Sequence, residues 1–220
     1  MSVFVSGTDT GVGKTTFTVW LLQHLRARGF RVAGYKPICC GDRDDATQLL
    51  AASSPGLTID EVNPVWLRIP AAPLTASIAE GCEIDCAALG SGFVRLKERF
   101  DFVAVEGVGG WKVPITTNYF TSDLAAELRL PVLLIARNRL GCLNHVFLTL
   151  LGIEVSGLKC AGVILNDVAI ESEIATTTNA EILRRCLTLP ILAPFDRDNA
   201  AATAALGQML PEISQPFVGG

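Results

Sequence analysis

The sequence predicts a doubly wound α/β fold, a mainly parallel sheet in one domain over residues 1–220 with helices on both faces. Three observations carry this. Short apolar runs alternate with helical patterns along the chain. The first run, Val3-Phe4-Val5, leads into the glycine-rich stretch Gly7-Thr8-Asp9-Thr10-Gly11-Val12-Gly13-Lys14-Thr15-Thr16, which opens a helix. Charged and polar residues stand at the carboxyl ends of later runs, the edge at which open parallel sheets bind ligands.

A glycine turn followed by Gly-Lys-Thr between strand and helix suits a nucleoside triphosphate. Glycines let the backbone approach phosphate oxygens, and the helix N-terminus adds partial positive charge. Lys14 is placed to reach the β- and γ-phosphates and Thr15 to ligate Mg²⁺. A turn that merely joins strand to helix explains the glycines but not Lys14-Thr15. The spacing departs from the common form: Gly7 lies one residue further back, and Thr8 occupies its usual place.

Thr16 to Arg28 reads as a mostly buried helix stopped by Gly29, with His24 on its surface side. Arg31 to Pro37 is the second strand, parallel to the first through a right-handed crossover. Lys36 then stands at the same edge as Lys14, and two cations there suit phosphoryl transfer. Cys39 to Asp45 reads as a loop into a helix over residues 46–52. Its acidic residues either cap that helix or supply a metal ligand, and periodicity leaves Asp42, Asp44 and Asp45 open. Prolines punctuate residues 53–82, and the stretch Pro70 to Ser77 reads as a shaped loop near the substrate.

Asp85 to Arg99 is a helix. Phe100 to Val105 is a buried strand ending in Glu106, followed by Gly107-Val108-Gly109-Gly110. An acid at that position completes a Mg²⁺ shell, and the glycines keep the backbone near the phosphates. A helix over 121–128, a strand over 130–136 and a helix over 143–155 follow. His145, at a helix start, reads as structural more readily than as a general base. The strand over 159–167 ends in Asn166-Asp167, and an Asn there suits a nucleobase edge. A helix over 173–187, a short strand over 190–196 and a helix over 200–209 complete the chain.

Composition narrows the classes. The net charge is −4, with no basic block to mark a nucleic-acid surface. No apolar run nears the roughly 20 residues that span a bilayer. No signal-type segment precedes the first strand, so the expected location is cytoplasmic. The cysteines number seven and form no C-x-x-C pair, so neither a zinc site nor a disulfide framework is expected.

The motifs GTDTGVGKT at 7–15, GYKP at 34–37, Asp45-Ala46, VEGVGGW at 105–111, LGCLNH at 140–145 and ND at 166–167 together resemble the dethiobiotin synthetase family. These are ATP-dependent ligases of biotin biosynthesis with a phosphate-loop NTPase fold. The motifs lie in the family's order and cover the chain to about Asp196, and the longer phosphate loop is normal there. The resemblance implies a reaction of 7,8-diaminononanoate, CO₂ and Mg-ATP through a carbamate and a carbamic-phosphoric anhydride. It implies that Gly11, Val12, Gly13, Lys14, Thr15 and Thr16 hold phosphates, and that Thr15, Asp45 and Glu106 surround Mg²⁺. Lys36 and Lys14 are then catalytic. Gly107, Val108 and Gly109 face the nucleotide, while Asn166, Asp167, Pro194, Phe195 and Asp196 contact its base. Thr10 and Cys40 touch substrate, and Leu143 and Asn144 receive its carboxylate across a homodimer interface.

Two departures stand out. The family usually has Ser at the position of Cys40, and the loop from Gly41 to Asp44 is shorter than in many members. The register with Ala46 favours Asp45 as the ligand over Asp44. The rival class is a partitioning or septum-placement switch ATPase. Such proteins carry a second lysine inside the glycine loop, where this chain has Thr8, Asp9 and Thr10.

Overall fold

A computed structural model describes residues 1–167, 174–193, 195 and 200–213. β1 (Ser2–Gly7) lies inside a parallel sheet, because nearly all of its side chains are buried whichever face they point to. Val3 and Val5 enter one core and Phe4 the other, as the two-residue period of a strand requires. The sheet order is β2-β5-β1-β6-β7-β8, with β2 at Val32–Tyr35, β5 at Phe102–Glu106, β6 at Val132–Arg137, β7 at Cys160–Asn166 and β8 at Ile191–Leu192. Every pairing in it is parallel.

The helices α1 (Lys14–Ala27), α2 (Asp44–Ala52) and α9 (Ala200–Met209) contribute to one core with Phe17, Leu21, Leu49 and Leu206. On the other face α5 (Cys86–Arg99), α6 (Thr121–Leu128), α7 (Cys142–Val155) and α8 (Ile174–Cys186) contribute Leu89, Phe93, Leu124, Val146 and Leu183. This is the doubly wound arrangement expected from the alternating pattern. Among the described residues no helix is long and apolar enough to cross a membrane.

The main departure from expectation follows β2. Cys39 and Cys40, read as the start of a loop, belong to β3 (Ile38–Cys40), which pairs with β4 (Val65–Leu67) as a separate two-stranded parallel ribbon. Between them lies α3 (Ile59–Val62), opened by a capping box of Thr58 and Glu61. After β4 comes α4 (Pro73–Glu80), with its proline in the first turn, where no amide is needed. His24 is not a plain surface residue: its ring stacks on Trp20 at 5.4 Å between centroids, and burial lowers its pKa.

Candidate active site

The phosphate loop leaves β1 at Gly7, where a Cβ would lie 2.8 Å from Val12 Cγ2 and 3.1 Å from Lys14 Nζ. Only a glycine lets the loop fold back over the strand end. Gly13 precedes α1 with φ 96°, and a Cβ there would meet Asn166 Nδ2 at 1.9 Å. The Asn166 amide donates instead to the Val12 carbonyl at 3.0 Å, joining the end of β7 to the loop. The Val12 side chain points into the core, so this residue offers only backbone to a ligand.

Lys14 Nζ donates to the Asp9 carbonyl at 2.9 Å. Burial first, and the charge of Lys36 second, push its pKa down to about 8. Lys36 follows β2 and is 3 % exposed. Its amide donates to Val62 O at 2.8 Å and its carbonyl accepts from Asn63 Nδ2 at 2.8 Å, which holds the main chain where it turns from sheet to ribbon. Its ammonium lies 2.6 Å from Glu106 Oε1 and 2.8 Å from Asp45 Oδ2. Burial opposes the charge, but Glu106 and Asp45 together outweigh it and hold the lysine well above its usual pKa. Asp45 also loses solvation, yet Lys36 overrides that and lowers its pKa.

Thr15 Oγ1 lies 2.8 Å from Asp45 Oδ1 and 2.7 Å from Glu106 Oε1. A hydroxyl has one proton, so it can donate to only one of these oxygens at a time. The other contact sets acceptor against acceptor, and Glu106 Oε2 is buried with no hydrogen-bond partner. Crowded hard oxygen donors with an unpartnered carboxylate oxygen fit a divalent cation such as Mg²⁺. Of the three acidic residues left open by the spacing, Asp45 faces Thr15 and Lys36, whereas Asp44 is exposed and its amide donates to Asp42.

These groups open on one cleft of about 620 Å³, a volume typical of small-molecule sites. Thr10, Gly11, Gly13, Lys14, Thr15, Thr16, Lys36, Asp45, Val108 and Gly109 line it. Its other wall is largely apolar, made by Ile38, Cys39, Cys40, Val113 and the stretch Pro70 to Pro73. Asp42, one of the three acidic candidates, also reaches the cleft, as does Gln48, which nothing in its spacing distinguishes in sequence.

Other expected positions lie elsewhere. Glu106 is fully buried behind the cleft. Gly107 packs closely on Phe4 and Thr121, where a Cβ would lie 3.1 and 3.0 Å from them. Leu143 and Asn144 begin α7 and do not line this cleft, and Asn144 is exposed. The Phe195 ring packs against Phe17 at 5.3 Å and Trp20 at 5.4 Å, so it serves the core and leaves only backbone for a nucleotide. Pro194 and Asp196 fall outside the described residues. Asn63, which fixes Lys36, gave no signal in the sequence beyond its place after the capping box.

Cys40 is half-buried on the cleft wall, and burial, then the charge of Glu80, push its thiol up to about 11. A raised thiol pKa means less thiolate at a given pH. At pH 8 iodoacetamide is expected to label exposed Cys82 and Cys186 well before Cys40. The Cys40 rate should climb about tenfold per pH unit until its pKa is reached. Peptide mass mapping of a pH series checks both.

Residues 1–202 match a family model described as an AAA domain. The ATP-dependent dethiobiotin synthetase BioD of Akkermansia muciniphila is 43% identical over 188 residues, covering 86% of this chain and 88% of that protein. That of Aromatoleum aromaticum is 42% identical over 197 residues, covering 86% and 87%. Among solved structures, the cell division ATPase MinD of Pyrococcus furiosus superposes with a TM-score of 0.60 at 17% identity over 97% of this chain and 98% of that one. The septum site-determining protein MinD of Pyrococcus horikoshii, complexed with Mg-ADP, gives 0.57 at 18% identity over 94% and 86%. At such identities the structural likeness speaks for the fold alone, which is that of a phosphate-loop NTPase. The sequence relatives separate this chain from the switch ATPases: it belongs to the ATP-dependent dethiobiotin synthetase family.

Proposed function

We propose that the protein makes dethiobiotin, the product its relatives are named for, from 7,8-diaminononanoate, CO₂ and ATP, as a ligase of biotin biosynthesis. The observation that carries this reading is the cleft itself. One end gathers a phosphate loop, Lys14, Lys36 and Asp45, with Glu106 buried behind them, and the facing wall is largely apolar. In the proposed sequence an amine adds to CO₂ and loses a proton, giving a carbamate. A carbamate oxygen attacks the γ-phosphorus and ADP leaves. The second amine then attacks the carbamoyl carbon, loses a proton and expels phosphate, closing the cyclic urea.

Phosphorylation turns a poor leaving oxygen into a good one. Lys36 is positioned to balance negative charge on the carbamate and on the phosphoryl group in flight, and Lys14 on the β- and γ-phosphates. Thr15, Asp45 and Glu106 would hold Mg²⁺, which supplies further neutralisation of phosphate charge. Thr10 and Cys40 line the same cleft and are assigned to the substrate. A thiol is a weaker donor than the usual hydroxyl, so Cys40 contributes mainly shape. The test is to supply Mg-ATP and bicarbonate with and without the diamine, following phosphate and product mass together. Phosphate release that depends on the diamine, with stoichiometric urea, supports the ligase. Hydrolysis indifferent to the diamine removes it in favour of a switch ATPase.

A homodimer is part of the same reading. Phe147, Leu148, Leu151 and Val155 expose an apolar stripe along α7 at helical spacing, and exposed Leu140 lies just before the helix. Leu143 and Asn144 stand at its head, where a second copy could bring them to its neighbour's substrate. Leu148→Asp is expected to shift sedimentation from dimer to monomer and to remove turnover, while leaving thermal unfolding cooperative. A variant that sediments as the wild type places the interface elsewhere.

A further inference from the structure

We propose that Asn138 is a positioning residue for the nucleobase and makes the site select bases with an amino group beside an accepting ring nitrogen. This rests on the reading that Asn166 and Asp167 face the base. Asn138 follows β6, is 9 % exposed, and uses its whole side-chain amide inside the protein. Nδ2 donates to Asp167 Oδ1 and to the Thr176 carbonyl, both at 2.8 Å. Oδ1 accepts from Asn179 Nδ2 at 2.9 Å, and that nitrogen also lies 3.2 Å from the Arg139 carbonyl. The Asn138 main-chain amide donates to Asn166 O at 2.9 Å. One residue thus ties the end of β6, both strand-end residues of β7 and the start of α8.

A saturated buried polar network of this kind specifies a single geometry. It fixes the Asp167 carboxylate by one oxygen and leaves the other as an acceptor on an exposed side chain. Asn166 Nδ2 gives one hydrogen to Val12 O, so its second hydrogen and Oδ1 remain for a base edge. The pair thus sets acceptors beside a single donor. The 6-amino group of adenine or the 4-amino group of cytosine supplies a donor for the acceptors, and the adjacent ring nitrogen accepts the remaining hydrogen. On hypoxanthine the two are reversed, a 6-oxo oxygen beside an N1–H, so a fixed Asn166 meets oxygen with oxygen and hydrogen with hydrogen, which costs both bonds.

The test measures ATP and ITP binding by calorimetry, and KM for ATP and kcat by phosphate release. Wild type is expected to favour ATP over ITP by about tenfold or more. Asn138→Ala should raise the ATP Kd and KM by about tenfold, bring the ATP-to-ITP ratio towards one, and keep kcat at saturating ATP. A folded Asn138→Ala with wild-type affinity and discrimination would show that Asn138 merely fastens α8 to the sheet, and would overturn the proposal. Should Asn138→Ala lose cooperative melting, Asn179→Ser removes one partner of the same amide and takes the same readouts. Asp167→Ala separates the two levels. If it weakens ATP while Asn138→Ala does not, the positioning role fails alone. If it too leaves ATP and ITP binding unchanged, Asp167 does not face the base and the underlying reading fails.

Discussion

Lys36→Ala is expected to lower turnover by about 10²–10³-fold, the usual loss when one preorganised charge is removed from a transition state. Mg-ATP affinity should change far less, because the phosphate loop and Lys14 remain. Equal loss of turnover and nucleotide affinity would count against assigning Lys36 to the transferred group. The same change has a second signature. Lys36 is the direct ionic partner of Glu106, which has no solvent exposure. Removing one member of a buried pair costs on the order of 3–5 kcal/mol, since the other charge is stranded. On the proposed reading the Mg²⁺ that accompanies ATP would supply a replacement cation, so adding Mg-ATP should recover more melting temperature in Lys36→Ala than in the wild type. Calorimetry with and without Mg-ATP, beside steady-state kinetics, measures both signatures.

Glu106→Gln is the second large effect. The substitution keeps size and burial but removes the charge and one of the two acceptor oxygens. Thr15 Oγ1 and Lys36 Nζ both converge on Glu106 Oε1, and Oε2 is the buried oxygen without a partner. Turnover is expected to drop by about 10²-fold and the Mg²⁺ concentration for half-maximal rate to rise at least about tenfold. Asp45→Asn should do less, because the Asp45 side chain is 45 % exposed and water can take part of its role. A Mg²⁺ titration of diamine-dependent phosphate release ranks the two. A larger metal shift for Asp45→Asn would reverse their assignment.

The parts of this protein that were legible in the sequence are those where a regular pattern stops on an irregular residue. Val3 to Val5 running into Gly7, the strand ending in Glu106 and the strand ending at Lys36 are of this kind. A buried strand has no local reason to end in a charge. The β3–β4 ribbon was not legible, because three-residue strands are too short to show a period and Cys39-Cys40 carries no turn or strand signature. Asn63 and Asn138 were missed for a different reason. Each is a single polar residue whose meaning lies in partners 27 and 29 residues away along the chain. His24 and Phe195 show the limit of helix-face and loop readings, since both settle against Trp20 through a tertiary contact that neither neighbourhood announces.

The ribbon has a consequence for how such an enzyme could change. Trp66, under the guanidinium of Arg68, donates to the Gly41 carbonyl, and Gly41 sits so close to Pro70 that a Cβ would lie 3.0 Å away. The cleft's apolar wall is therefore built largely on residues 38–41 and 70–73, beside the main sheet, while Lys14, Thr15 and Glu106 belong to the sheet and its first helix. Lys36 joins the two parts, because its main chain is bonded to Val62 and Asn63 beside the ribbon. On the proposed reading, drift at residues 70–73 would alter the accepted carbon chain while sparing Lys36, and an engineer seeking a ligase for a different diamine would graft there.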